Sequence, residues 1–573
     1  LTGLVTAAVL VWRFVLARPD LPANVVQLSG LIENDDSAIA PKTASRIIAI
    51  TVREGDVVQA GQTICNLGRP CGEPGFPVFA SSARSVDKRD WFRVDRLLLS
   101  KPRFPMLLKR VVVAPLLCAL LALGQGQGAV TVISNVTLIN PRTTTVTAHQ
   151  TVVTEGTRIR SIGPSSAALP DGAIMIDGSG QFLIPGLWDA HVHLTKLGKL
   201  SLPLFIANGV TGVRDMGSDF RDIQRWRSAI ESGEQVGPHI KTSGEILESK
   251  SNIDRMKREG TVEPVDRIRI GVANPAEARA AVIRLAREGV DHIKMRTAPD
   301  LETFRAVADQ AKREALPFSA HPLEPPDELF RSGLRSVEHF LAFPPIAAPE
   351  KERKDLFRRM SQSGLFMSDT SVNLDALVSF SYDDVKRRVD DVAGKIDERR
   401  RYVCGYLVAD WREQLEELKD PGTRKAYGSL RQQLPTLYRN NREMADSGVR
   451  FLAGTDSGVL LMYPGFSLHD ELRKLVKDAG LSPNEVLRAA TYNLAGFYGK
   501  EHEFGSIEPG QSADLVLLRE DPIKNIRNTT QIAGVMAGGR WFDRRALDGL
   551  LKDVERKASS SCEGSSLKEV QRQ

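Results

Sequence analysis

The chain has 573 residues, of which 42% are hydrophobic and 26% charged, and its formal net charge is +6. That length holds a barrel of about 250 residues plus further domains, and the composition fits a large soluble enzyme. Residues 84–110 carry nine Lys/Arg against three Asp/Glu, a surplus equal to the whole imbalance, so the basic balance implies no nucleic-acid surface.

In chain order, residues 1–17 are apolar but interrupted by Arg13 and are too short for a full membrane span; they read as a truncated anchor. Within 18–67, Ser29-Gly30-Leu31-Ile32-Glu33 and Val52-Arg53-Glu54-Gly55-Asp56 followed by Ala60-Gly61-Gln62 resemble half of the lipoyl-like hairpin of periplasmic adaptor (membrane fusion) subunits. That family's partner half and coiled-coil hairpin are missing. Residues 68–105, rich in Pro, Gly, Ser and Arg without periodicity, read as disordered linker. Residues 106–128 then pass from Met106, Lys109 and Arg110 into a short apolar run and a small-residue end, the pattern of a secretory signal peptide. The expected location is therefore periplasmic or secreted, the alternative being an inner-membrane-anchored protein facing the periplasm. Either the enzyme starts at Met106 and residues 1–105 come from another frame, or the whole is a membrane-anchored fusion. Cys65, Cys71, Cys118, Cys404 and Cys562 are few and lack Cys-x-x-Cys spacing, which indicates neither a disulfide framework nor a zinc ribbon.

Downstream, the pattern predicts α/β architecture. Strands at 129–140, 146–162 and 173–177, with 514–518, 532–537 and 539–542, predict a composite β-sandwich from segments 129–184 and 505–545. Between them, 185–504 predicts a (β/α)8 TIM barrel whose strand readings fall at 182–193, 210–216, 239–243, 290–295, 316–321, 335–339, 365–368 and 450–456. Helical spacing recurs at 275–288, 301–313 and 467–479. Segment 369–448 reads as a charged helical insertion, with helical stretches at 383–402 and 439–445. Segment 244–271 reads as pocket loop and 546–573 as a polar tail.

The chemistry sits at the strand ends. Asp189-Ala190-His191-Val192-His193, Lys294, His321, His339 and Asp456 each close an apolar run, where a barrel gathers its active site from several strands. Side chains alternate along a strand, so His191 and His193 face one way and can share a metal. Asp189 shares their parity, as a ligand or an outer partner. Imidazole and carboxylate donors suit zinc and similar divalent metals. His292 has the opposite parity to Lys294 and is expected outside the lumen. Arg296 shares the Lys294 face, either as a carboxylate-binding group or as a structural ion pair.

These residues are set in Ile184-Pro185-Gly186-Leu187-Trp188 before Asp189, Asn208-Gly209-Val210-Thr211-Gly212-Val213-Arg214-Asp215, Val337-Glu338-His339, Ala453-Gly454-Thr455-Asp456 and Gly505-Ser506-Ile507-Glu508-Pro509-Gly510. With them the chain resembles the metal-dependent amidohydrolase superfamily, in its imidazolonepropionase/prolidase-like branch, over roughly 130–545. The resemblance implies His191, His193 and Asp456 on one divalent ion and His321 with His339 on a second. Lys294 would lie between them as a carbamate formed from carbon dioxide. Zinc is the first choice of metal. It further implies Asp456 as the proton carrier of catalysis, Lys294 as the bridging group and His339 as an aid to the developing oxyanion.

The implied reaction is hydrolysis of the C–N bond of a small amide, with a dipeptidase or N-acyl amino-acid amidase foremost. A cyclic amidase, lactonase or phosphoesterase on the same barrel is the alternative, and an adaptor subunit of an export complex the non-enzyme one. The expected partner is a small amide or dipeptide substrate, with no nucleic acid and membrane only through the N-terminal segment; oligomerisation is left open.

Overall fold

The computed structural model describes residues 46–50, 63–68, 76–79, 129–165, 170–339, 348–403 and 405–564. The anchor reading at 1–17 and the signal-like segment at 106–128 lie outside them, as does most of the adaptor-like stretch. The chain divides into two compact units, 1–123 and 124–573. In the first, β1 (Arg46–Ile50), β2 (Thr63–Gly68) and β3 (Phe76–Phe79) form an antiparallel sheet. Strand β3 corrects the linker reading of 68–105 at that point: Phe76, Val78 and Phe79 make a short apolar run that pairs with β2.

The second unit starts with β4 (Val130–Asn140), β5 (Thr145–Glu155), β6 (Arg158–Pro164), β7 (Ile174–Asp177) and β8 (Phe182–Pro185). These join β19 (Leu515–Leu518), β20 (Ile532–Ala537) and β21 (Arg540–Asp543) in one eight-stranded sheet, with β19 antiparallel to β8. The sheet encloses its own apolar core, including Ile133, Val152, Leu183, Leu515 and Met536. Both flanks of the catalytic region therefore build one layer, as their alternating apolar positions predict.

Between the flanks run the parallel strands β9 (Leu187–Val192), β10 (Val210–Asp215), β11 (His239–Thr242), β14 (Ile293–Met295), β15 (Phe318–Ala320), β16 (Ser336–Glu338), β17 (Phe366–Ser368) and β18 (Arg450–Leu452). The circle closes where Ala190 N donates to Ala453 O at 2.8 Å and Asp456 N to His191 O at 2.8 Å. On the other seam, Asp291 N donates to Thr242 O at 2.8 Å. The single strand expected at 182–193 is two, broken at Gly186, so β8 serves the flanking sheet and β9 the barrel. The expected pocket loop 244–271 is also corrected: it holds β12 (Ile246–Ser249), the helix Lys250–Glu259 and β13 (Arg269–Val272), with β12 parallel to both β13 and β14. Strand pairing there overrides the polar character of the segment.

The helices α1 (Pro275–Glu288) and α2 (Leu301–Arg313) have the predicted bounds. Proline opens α1, the Asn274 side chain caps it, and Gly289 stops it at φ +90, a left-handed conformation that favours glycine. Strand seven leads into α3 (Ser371–Ser379), and the insertion continues through Tyr382–Val389 and Tyr406–Glu417 to α4 (Pro421–Asp446). Expected helix 383–402 stops at Val389; a turn and the short 3-10 turn Glu398–Tyr402 follow it. After strand eight comes α5 (Phe466–Lys477). The tail reading is corrected by α6 (Arg544–Gly564), whose Leu547, Val554 and Ala558 are buried at helical spacing. Val554 packs against Leu204 and Tyr402.

One ion pair clasps barrel to sheet: His239 Nε2 lies 3.1 Å from Asp514 Oδ2. The Asp514 charge outweighs burial and raises the imidazole pKa above its usual 6.5. A raised folded pKa gives stability that is full below the unfolded value and is lost as pH rises through the folded one. The Tm advantage of wild type over His239→Gln should therefore be present at pH 5.5 and shrink by pH 9. It will be small, because the imidazole is half exposed. An advantage that grew with pH would refute this.

Candidate metal centre

At the C-terminal mouth of the barrel the structure brings together the six predicted side chains. His191 is fully buried at the end of β9, with its ring centroid 5.5 Å from His193 and 4.6 Å from His339. His321, just past β15, stands edge-on to His339 at 4.8 Å. Asp456 follows β18; its Oδ1 is 3.1 Å from His193 Nε2 and 3.5 Å from His191 Nε2, and its Oδ2 is 3.9 Å from His339 Nε2. Donor atoms of His191, His339 and Asp456 lie within 4.8 Å of one another. Lys294, in the middle of β14, is 1% exposed.

Two features of the backbone make this convergence tight. A Cβ on Gly454 would meet His191 Cβ at 2.8 Å, so only glycine lets the last strand lie against the first. His339 and Asp456 both sit at φ 60, left-handed for non-glycine residues, which is strain of the kind that collects at functional sites.

Three of the imidazoles are held neutral. Burial pushes His191 down to about 3 and His339 down to about 4, and burial lowers His321 as well. Burial alone would raise the Asp456 carboxyl, but His339, His193 and His191 outweigh it and hold Asp456 well below the usual carboxylate range. Burial brings Lys294 down to about 8, with Glu338 and Asp456 opposing the fall. Neutral imidazoles and an ionised carboxylate are donors that suit a divalent metal, and a lysine nearer neutrality belongs to the same cluster. The fit has a second sign: His191 Nε2 and Lys294 Nζ are buried without a hydrogen-bond partner among the described residues. Such orphaned atoms are costly unless something else binds them.

Around the ligand set is a frame that sequence reasoning left unassigned. Glu338 Oε2 accepts from His191 Nδ1 at 2.9 Å, and Arg214 grips the same carboxylate with Nη2 at 2.8 and 3.0 Å. This fixes the His191 tautomer and leaves Nε2 for the lumen. Thr370 Oγ1 holds His339 Nδ1 at 2.8 Å, and Asn373 Nδ2 donates to Asp456 Oδ2 at 2.9 Å. The available signal was charge inside apolar strands, Arg214 in β10 and Glu338 in β16.

Asp189 does not join the ligands. Its carboxylate accepts from Thr455 Oγ1 at 2.7 Å, Thr455 N at 3.0 Å and His191 N at 3.2 Å, tying the first strand to the last. Parity pointed to the lumen, but the closing seam of the barrel captures this side chain. His292 packs outside, between Tyr498 Oη at 3.1 Å and Met216. Arg296 Nη1 lies 3.5 Å from Glu248 Oε2, an ion pair.

The Amidohydrolase family profile matches residues 182–542. An imidazolonepropionase of Rubrobacter xylanophilus is 24% identical over 394 residues, spanning 65% of this chain and 85% of that protein. A protein named as an adenine deaminase in Halalkalibacterium halodurans is 31% identical over 119 residues, 21% of this chain and 19% of its own length. Among solved structures, a Xaa-Pro dipeptidase with methionine bound in its active site superposes with a TM-score of 0.56 at 21% identity, over 72% of this chain and all of that one.

Proposed function

The chain belongs to the amidohydrolase family and is a metal-dependent hydrolase of carbon–nitrogen bonds, and on that premise we propose a dipeptide or an N-acyl amino acid as its substrate. The observation that carries the reading is Lys294, a fully buried amine in β14 with no hydrogen-bond partner among the described residues. In this reading its neutral form takes up carbon dioxide, and the carbamate supplies the negative charge that two cations need beside Asp456. His191, His193 and Asp456 would hold one ion and His321 with His339 the other, zinc being the metal these donors suit first. When bound, the ions polarise the scissile carbonyl and lower the pKa of the attacking water.

The chain's own residues do the rest. Asp456, oriented by Asn373, takes the proton released on attack and delivers it to the leaving nitrogen. Glu338 and Arg214 keep His191 in one tautomer, and Thr370 orients the His339 ring.

The presence of Lys294 supports a dipeptidase or acyl amino-acid amidase over a one-metal cyclic amidase, while the imidazolonepropionase relative favours a cyclic amide as the second reading. A panel of dipeptides, N-acyl amino acids, cyclic amides, lactones and phosphoesters, with product analysis, separates these. Release of free amino acids from dipeptides or acyl amino acids is expected. Turnover confined to lactones or phosphoesters would overturn the substrate assignment and leave the fold intact.

A further inference from the structure

Away from the metal centre, α3 and α5 wall a cavity of about 330 Å³. The helix α5 contributes Asp470, Arg473, Lys474 and Lys477, spaced to share one face. From the insertion come Arg388, Asp397 and Arg399, and Arg527 closes the rim. The lining thus holds six basic and three acidic side chains.

The acids are already engaged. Asp470 pairs with Arg399 at 2.6 Å and with Arg473; Asp397 meets Arg399 at 2.7 Å, and Asp375 lies 3.3 Å from Lys474. Arg388, Lys477 and Arg527 have no carboxylate at ion-pair distance among the described residues. Burial lowers the Arg473 guanidinium, and the like charges of Arg527 and Arg399 lower it further. A second observation points the same way. Tyr463 lines the cavity at 1% exposure, and its hydroxyl has no hydrogen-bond partner among the described residues. Burial raises that hydroxyl's pKa, so it stays a donor. An uncompensated cluster of cations beside an idle buried donor lacks one thing, an acceptor carrying negative charge.

We propose that this cavity binds a small anion through a phosphate or carboxylate group, at a site separate from the metal centre. Arg388 and Arg527 supply bidentate donors, Lys477 a point charge and Tyr463 the buried hydroxyl. None of these residues is a candidate metal ligand, so the site stands whether or not the substrate assignment holds. It adjoins the centre through α3, where Val372 lines the cavity and Asn373 holds Asp456.

The test is local, so that anions bound at the metals do not confuse it. The metal-loaded full chain is treated with an amine-acetylating reagent, and modification of Lys477 is read by mass spectrometry. Inorganic phosphate and acetate are the probes, and sodium chloride is the control at matched ionic strength. At least one probe should slow Lys477 modification about tenfold where chloride does not, as one or two charge-assisted hydrogen bonds would produce. Protection by phosphate alone assigns a phosphate ligand, and protection by acetate as well assigns the carboxylate class. Arg527→Glu should abolish the protection. Tyr463→Phe, which keeps the packed ring and removes only the hydroxyl, should weaken the effective probe's binding about tenfold. No protection by either probe, equal protection by chloride, or protection that survives both substitutions would overturn the site.

Discussion

Asp456→Asn should lower turnover about a thousandfold or more while the protein stays folded and retains much of its metal. The substitution keeps the shape and leaves an oxygen for coordination, but it removes the group that carries the proton. Its setting explains the size of the effect. Asp456 is buried, strained at φ 60, and within 3.1–3.9 Å of three imidazoles, so no solvent group can take over its role. Asn373 donates to Oδ2, and among the described residues no other side chain makes a hydrogen bond to that oxygen. Asn373→Ala frees the carboxylate without removing it and should cost far less. Metal content, Tm and kcat measured together check this. If Asp456→Asn kept kcat within tenfold of wild type at full metal content, the proton-carrier role would be wrong.

The side chains that converge at the barrel mouth were legible in the sequence because a barrel imposes two simple rules on them. Ligand-type residues close strands, and residues two apart share a face; His321, His339 and Asp456 follow their strands and His191 with His193 satisfy both rules, whereas Lys294 lies in the middle of β14. The helices at 275–288 and 301–313 were legible for a similar reason, since cap and stop residues bracket a regular apolar spacing. What escaped notice depends on partners distant in sequence. Glu338 and Arg214 are 124 residues apart, and only the closed barrel sets them side by side. Asp189 followed the parity rule and was taken by Thr455, 266 residues on, because the seam between first and last strands has no counterpart in local sequence. Strands β12 and β13 were invisible because a charged segment can pair with a neighbour that supplies its hydrogen bonds. Helix α6 was missed because its buried residues are sparse, on a helix that reads as polar overall.

Lys294→Met should do two opposite things, and the opposition is what makes it informative. In metal-free protein, the buried amine has a pKa of about 8 where a free lysine has 10.5. A pKa depressed in the folded state costs stability wherever the group is protonated in both states, so the penalty is full below pH 8. It fades as pH rises from 8 to 10.5 and is absent above. The shift corresponds to about 3 kcal/mol. Methionine fills similar space without the charge, so the metal-free variant should melt several degrees above metal-free wild type at pH 7, and the gap should close toward pH 10.5. Catalysis should go the other way. Without the amine no carbamate can form, the second ion loses a ligand, and metal content should fall toward one per chain with activity down about a thousandfold. The smaller Lys294→Ala leaves space for a short carboxylic acid, and propionate should restore part of its activity. Added zinc should raise the Tm of wild type more than that of Lys294→Met, because binding to the folded state adds stability in proportion to affinity. A methionine variant that kept two metals and full turnover would remove Lys294 from the centre. One less stable than wild type in the metal-free state would mean that the amine is partnered after all.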